Sequence, residues 1–318
     1  MKKLNLISKM SLMVFALLMT VSCDDDDPVK TPETIAEIAI ATPGLESLVT
    51  ALDRANLVNV LDSSGEYTVF APTNTAFEAF LSANNFASVN DVPVNVLTQV
   101  LLNHVIAEEL PASSLSTGYK NTLATYADTD LNLSMFVNTS GGVKLNGVSN
   151  VTTANIEATN GVIHVVDAVI GIPTVVTFAT ADPNFTTLVS ALTTLTPATD
   201  FVSVLSDTDE AYTVFAPTNA AFSALSSVPE ESTLTQVLLH HVVSGNIQSS
   251  ALTPNGNTVA PTLQGNNLTI TLPGTGGNIA NMTDGSGNMD IGIIAVDVQA
   301  GNGVIHVINK VAIPNLQS

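Results

Sequence analysis

Tyr67 to Ala76 reads YTVFAPTNTA, and Tyr212 to Ala221 reads YTVFAPTNAA, 145 residues further on; a Phe follows each copy, Phe77 and Phe222. In each, Tyr-Thr-Val-Phe has the aromatic and β-branched content of a strand, and Ala-Pro ends it. Thr73 or Asn74 is then placed to cap a helix carrying Phe77 and Phe80. The second copy repeats the arrangement with Phe215, Pro217, Thr218, Asn219 and Phe222.

Outward from this phrase, two more recur in the same order. LLNHVI (101–106) returns as LLHHVV (238–243), and NGVIHVVDAVIGIP (160–173) returns as NGVIHVINKVAIP (302–314). The chain is therefore a tandem duplication of a unit of about 140 residues, the size of one ordinary domain with its own core. Upstream, Leu45, Leu48, Val49 and Leu52 recur at i, i+3, i+4, i+7, as do Phe185, Leu188, Val189 and Leu192, so each unit opens with an amphipathic helix. After LLNHVI the signals turn to strands and hairpins: Asn138–Gly142 as a turn, Val143–Val148 as a short strand and turn, and Ile163–Ile170 as a closing strand. Mixed helices and antiparallel strands make each unit α+β. The boundaries fall at 34–173 and 174–318. The junction Gly171-Ile172-Pro173-Thr174 is too short for a free linker, so the units are expected to pack at a fixed angle.

The three ordered motifs, each present twice from Thr34 to about Pro314, resemble the fasciclin domain, an extracellular adhesion module. The resemblance implies, for each unit, a β-sandwich-like wedge with helices packed along one side. Family-motif positions matched here are Phe70, Pro72, Thr73, Asn74, His104 and His164, then Phe215, Pro217, Thr218, Asn219, His241 and His306. They are expected to be scaffold that supports a binding surface. The family usually has Tyr before the middle His; this chain has Asn103 and His240 instead.

Residues 1–22 read as a targeting segment, with Lys2, Lys3 and Lys9 before an apolar run from Met10 to Val21. Twelve helical residues span roughly 18 Å, too little for a hydrocarbon core of about 30 Å, so an export signal is the reading. Cys23, the only cysteine, follows at once, and Thr20-Val21-Ser22-Cys23 resembles a lipoprotein lipobox with Cys23 as the lipidated first residue. Asp24–Asp27 and the prolines Pro28 and Pro32 make residues 23–33 an extended tether. The acid run also resembles a surface-export signal of Bacteroidetes-type lipoproteins. The expected location is the outer membrane, exposed at the cell surface.

The full chain has a formal charge of −20; without residues 1–22, 5 basic residues face 28 acidic ones, or −23. Such a surface repels nucleic acid and anionic headgroups, and the absence of Trp removes a common stacking platform. Membrane contact is expected only through the anchor.

The five histidines, His104, His164, His240, His241 and His306, all fall in repeated phrases, with no HxxxH or HxH pair to preorganise a metal site. Core imidazoles bonded to backbone, His104 and His241 on an apolar helix and His164 and His306 on strands, are expected. His164 and Asp167, three apart on a strand, face opposite ways, and Asn309 replaces the acid in the second copy. Asp284–Asp290 alternates oxygen side chains as calcium loops do but lacks the Gly at about position six and the Glu at about position twelve of an EF-hand loop, so it reads as a hairpin turn. No GxSxG or phosphate-binding loop occurs, and no cofactor is implied. The leading reading is a non-enzymatic surface lipoprotein that binds an extracellular or cell-surface protein or polysaccharide. A carbohydrate-active or metal-dependent envelope enzyme and a structural spacer are the alternatives.

Overall fold

The computed structural model describes residues 33–127 and 129–316; Cys23, the Asp24–Asp27 run and the targeting segment lie outside them. Thr34 starts the first helix with a reciprocal cap, its Oγ1 accepting from Glu37 N at 3.3 Å while Glu37 Oε2 accepts from Thr34 N at 2.9 Å. That helix, α1 (Ile35–Ala41), is followed by α2 (Glu46–Arg54) and α3 (Val58–Asp62). On the α2 segment Leu45, Leu48 and Leu52 are buried and Val49 is half-buried, as the periodicity predicts. Next come β1 (Tyr67–Pro72), α4 (Asn74–Ala83) and α5 (Val94–Leu102). The unit closes with β2 (Val105–Ile106), β3 (Gly118–Thr125), β4 (Asn132–Asn138), β5 (Lys144–Leu145), β6 (Ser149–Ala158) and β7 (Gly161–Val166).

The second unit repeats the series. Its helices are α6 (Val175–Ala181), α7 (Thr186–Thr193) and α8 (Phe201–Ser206), then β8 (Tyr212–Pro217), α9 (Asn219–Ser223) and α10 (Glu231–Leu239). Its remaining strands are β9 (Val242–Ser244), β10 (Asn257–Pro261), β11 (Asn267–Thr271), β12 (Ala280–Thr283), β13 (Ile291–Ala300) and β14 (Gly303–Ile308).

Each unit builds one seven-stranded sheet, in the orders β2-β1-β7-β6-β5-β4-β3 and β9-β8-β14-β13-β12-β11-β10. The only parallel pairings among the described strands are β1 with β7 and β8 with β14; the others are antiparallel. Strand alternation divides the apolar side chains between two cores. Val69 and Ala71 face the helices with Leu48, Phe77 and Leu97, whereas Phe70 faces the other way, among Ile106, Met135, Leu145 and Val166. In the second unit Val214 and Ala216 face the helices, and Phe215 joins Leu268, Ile270, Met282 and Ile308. The α+β expectation and the tandem copies are both present.

Two local expectations need correction. The closing strand does not run to Ile170: β7 ends at Val166, and Asp167 N turns to bond Asn150 O at 3.1 Å. Likewise His104 and His241 stand just past α5 and α10 rather than within them. The reason is a side-chain substitution for a helical bond. Nδ1 of His104 takes Val100 O at 2.7 Å, the carbonyl that a continuing helix would offer to the His104 N–H.

At the junction, Phe136 of β4 enters the apolar cluster of the second unit with Val175, Phe178 and Val298. Tyr119 packs edge-on against Phe178 at 5.5 Å between ring centroids, and its hydroxyl donates to Asp182 Oδ2 at 3.0 Å. Burial first, then the Asp182 carboxylate, raises the Tyr119 pKa and keeps the phenol protonated. Gln299 N donates to Ser134 Oγ at 3.0 Å, so a strand of each unit meets at this seam.

Candidate functional site

The repeated phrase folds as a strand, a stop and a capped helix. Phe70 is fully buried and Phe215 nearly so, each stacking near a histidine at 5.6 Å: Phe70 on His164 and Phe215 on His306. Pro72 and Pro217 end their strands, where the following N–H of Thr73 and Thr218 reaches Val166 O and Ile308 O at 3.2 Å. Oγ1 of Thr73 accepts from Ala76 N and that of Thr218 from Ala221 N, both at 3.2 Å, so Thr is the cap in each copy. Asn74 and Asn219 bridge to the preceding helix instead, their Oδ1 atoms accepting from Ser47 N and Thr187 N at 2.8 Å.

All five imidazoles are buried and spent on hydrogen bonds. His104 donates Nδ1–H to Val100 O, and its Nε2 accepts from Ile170 N at 2.9 Å; His241 does the same with Val237 O at 2.7 Å and Ala312 N at 3.0 Å. His164 and His306 use the opposite tautomer. Their Nε2–H groups donate to Leu110 O and Ile247 O at 2.9 and 2.8 Å, and their Nδ1 atoms accept from Asn155 N and Asp297 N. His240 donates Nδ1–H to Thr262 Oγ1 and accepts from Gly285 N at 3.0 Å. Burial lowers the pKa of His104, His240 and His241 to about 4, and lowers those of His164 and His306 in the same direction, so each ring is neutral near pH 7. A neutral ring with its lone pair taken by an N–H has none to give a metal. Among the described residues no three His, Cys, Asp or Glu side chains converge as a metal site needs.

Sequence reasoning missed the centre of this arrangement. Asn160 donates to Leu61 O and Ser63 O at 2.7 and 2.8 Å and accepts from Ile35 N at 2.9 Å. Asn302 repeats all three bonds with Leu205 O, Asp207 O and Val175 N at 2.8, 2.9 and 2.9 Å. One amide thereby ties the entry of the closing strand to α1 and α3, or α6 and α8. The following glycines, Gly161 and Gly303, have φ of +143° and +146°, and an added Cβ would lie 2.0 Å from Tyr67 O or Tyr212 O. Thr68 and Thr213 are a second matched pair, each bonded to two backbone groups of the loop after the middle His. The doubled NG pair was the available signal, because a Gly after a duplicated Asn marks a constrained backbone.

The remaining candidates resolve into structure. Asp167 binds Asn150 through N and Nδ2 at 2.7 and 2.9 Å, and Asn309 takes the same place by accepting from Gly292 N at 2.8 Å. Neither partner is a histidine. Asp284 accepts from Ser286 N, Asn288 N and Ile313 N at 3.0, 2.9 and 2.8 Å, and from the Ser286 and Asn288 side chains. This carboxylate closes the hairpin turn between β12 and β13, with its lone pairs occupied by protein donors.

A cleft of about 600 Å³ lies where the units join, lined by Phe80, Phe86 and Val96 of the first unit, the Asn146–Val148 turn, and Ile172, Pro173 and Thr177 at the junction. Among the described residues no charged side chain lines it, although acids dominate the chain. Val148 and Val96 are 57% and 40% exposed at its rim. Asn146, part of that lining, accepts from Phe136 N through Oδ1 at 2.7 Å.

Comparison with known proteins follows the duplication. The family model described as the Fasciclin domain matches residues 43–173 and 183–314. Protein sll1483 of Synechocystis sp. is 36% identical over 137 residues, covering 43% of this chain and 72% of that protein. Immunogenic protein MPB70 of Mycobacterium bovis is 36% identical over 145 residues, covering 43% of this chain and 68% of that protein. Among solved structures, a FAS1 domain pair from the insect cell adhesion molecule fasciclin I aligns with a TM-score of 0.52 at 21% identity, over 86% of this chain and 97% of that one. That likeness reaches both domains together and concerns the fold. With its strand-cap-helix phrase, histidine ties and asparagine clamp each built twice, the chain belongs to the fasciclin domain family, as a tandem pair of its domains.

Proposed function

We propose that this protein is a non-enzymatic cell-surface lipoprotein, anchored in the outer membrane through an acylated Cys23, that binds an extracellular or cell-surface protein or polysaccharide. The observation that carries the binding role is the junction cleft: an uncharged, largely apolar concavity with exposed valines at its rim, on an otherwise acidic chain. Concave apolar sites at domain interfaces are favoured places for ligands, and this lining suits apolar side chains of a protein better than the hydroxyls of a glycan. The non-enzymatic part is supported by the motif histidines, whose nitrogens are committed to backbone and side-chain partners. Residues 1–22 are read as the signal, 23–33 as the tether, and 34–173 and 174–318 as the two domains. No helix of the described residues is long and apolar enough to cross a membrane.

The test is to screen the mature protein on an array of matrix proteins and glycans, then to measure Val148→Asp against the best binder. Loss of at least tenfold in affinity supports the cleft. Unchanged affinity removes it, and hydrolysis of an array component abolished by one carboxylate substitution replaces adhesion with an enzyme. For the anchor, mass spectrometry of native protein should show an acylated Cys23 as the first residue; Cys23→Ala protein that still partitions into detergent like wild type would exclude it.

A further inference from the structure

The helical side of the second domain contains a cavity of about 90 Å³, between α6, α7 and α8 and the strands β8 and β14. Val175, Ala179, Leu188, Phe201 and Ile305 make its wall hydrocarbon. The one titratable side chain in the lining, His241, has both ring nitrogens bonded elsewhere, to Val237 O and Ala312 N. The lining residues that reach solvent include Thr180, Thr193 and Val202, which places the mouth between the ends of α6 and α7 and the start of α8. The two threonine hydroxyls donate back into their own helices, to Val176 O at 2.9 Å and Val189 O at 2.8 Å. A guest inside would meet methyl and methylene groups.

The charge pattern restricts the guest further. Among the described residues no charged side chain lines the cavity, and Lys310, the single lysine or arginine of 174–318, is paired with Asp290. Asp200 stands exposed at the start of α8, whereas Asp182 at the end of α6 is buried against Tyr119. An anionic head at the mouth would meet the exposed Asp200 carboxylate and no unpaired lysine or arginine of the second domain.

The corner also differs between the domains. The residue that bonds the clamp asparagine is Ile35 in the first domain and Val175, one methylene shorter, in the second. Residues 55–57 link α2 to α3, whereas residues 194–200 link α7 to α8.

We infer that this cavity binds the end of an alkyl chain whose head group carries no negative charge. An apolar cavity of roughly 150 Å³ stays dry and holds benzene, so this one takes roughly the last four carbons, with the rest of the chain lying across the mouth. Binding removes apolar surface from water without asking any polar group to lose a partner.

The experiment titrates the mature protein, methyl-labelled at Ile, Leu and Val, with octyl glucoside and with octanoate, both below their micelle concentrations. Octyl glucoside should shift the Val176, Leu188 and Ile305 methyls saturably and leave those of Ile35, Leu48 and Ile163 in place; octanoate should bind at least tenfold more weakly. Ala179→Leu fills the cavity and should remove the shifts while the thermal unfolding midpoint stays at or above wild type. Should that variant fail to fold, Val202→Asp at the exposed mouth carries the same expectation. Equal shifts in both domains, shifts that persist in a folded filling variant, or octanoate binding as tightly as octyl glucoside would each overturn the inference.

Discussion

Asn103 and His240 occupy one position in the two domains and meet the same requirement with different chemistry. Both are fully buried directly after a helix end. Asn103 donates to Ile170 O and Gly171 O at 3.3 and 3.0 Å and accepts from Thr122 Oγ1, so it ties β3 to the exit toward the second domain. His240 reaches the sheet-edge side, joining Thr262 to Gly285 beside the Asp284 turn. A buried polar residue must find partners, and here the surrounding loops, rather than the residue type, determine which partners those are. The choice has a cost in acid, since an imidazole can take a proton and an amide cannot.

The largest effect expected from the shared skeleton is at the clamp glycines. Gly303→Ala sets a Cβ against Tyr212 O in a left-handed backbone, and more than about 4 kcal/mol of destabilisation should follow, read by chemical denaturation. Gly161→Ala should be comparable in the first domain; tolerance of one and not the other would break the equivalence of the copies. Next come the asparagines. Asn302→Ala leaves Leu205 O, Asp207 O and Val175 N without their partner, at about 3 kcal/mol, and Asn160→Ala should match it. A large difference between them would show that one copy rebuilds the corner with water.

Acid separates the domains. A folded pKa of about 4 lies below the ordinary histidine value of 6.5, so the unfolded chain binds the proton first. Stability is therefore full above about pH 6.5 and declines as pH falls toward 4, by about 2 kcal/mol at pH 5 for each of His104 and His241. His240, also held at about 4, titrates in the same direction and adds to the loss in the second domain alone. Backbone amide signals of 238–243 should lose protection at a higher pH than those of 101–106, and His240→Asn should narrow the gap. An equal acid response of the two segments would remove the distinction. The smallest effect expected is at the caps. Thr73→Ala and Thr218→Ala should each cost about 1 kcal/mol, measured as a shift in denaturant midpoint without a change in slope.

Local chemistry was legible where the relevant partners are near in sequence. The strand at Tyr67 and the proline stop depend on residues within a few positions and can be read as they fold, while the cap narrows in sequence to Thr73 or Asn74, of which the structure uses Thr73. The closing strand stops at Val166 although apolar residues continue to Ile170, because its end is set by Asn150, 17 residues away, whose N–H bonds the Asp167 carboxylate. The core placement of the histidines followed from their apolar neighbours. Their tautomers did not, since Ile170 N lies 66 residues from His104 and Leu110 O lies 54 from His164.

By itself the sequence determined that one domain of α+β type is written twice, because periodicity, capping and repetition are properties of short stretches read in order. Only the tertiary structure decided which carbonyls the paired Asn160 and Asn302 hold, which imidazole nitrogen keeps its proton, and where an uncharged cleft and an apolar cavity open. Ile35 and Asn160 bond across 125 residues, and Val175 and Asn302 across 127. Partners at such separations are brought together by burial of the whole core, so their identity is a property of the packed chain and not of any segment of it.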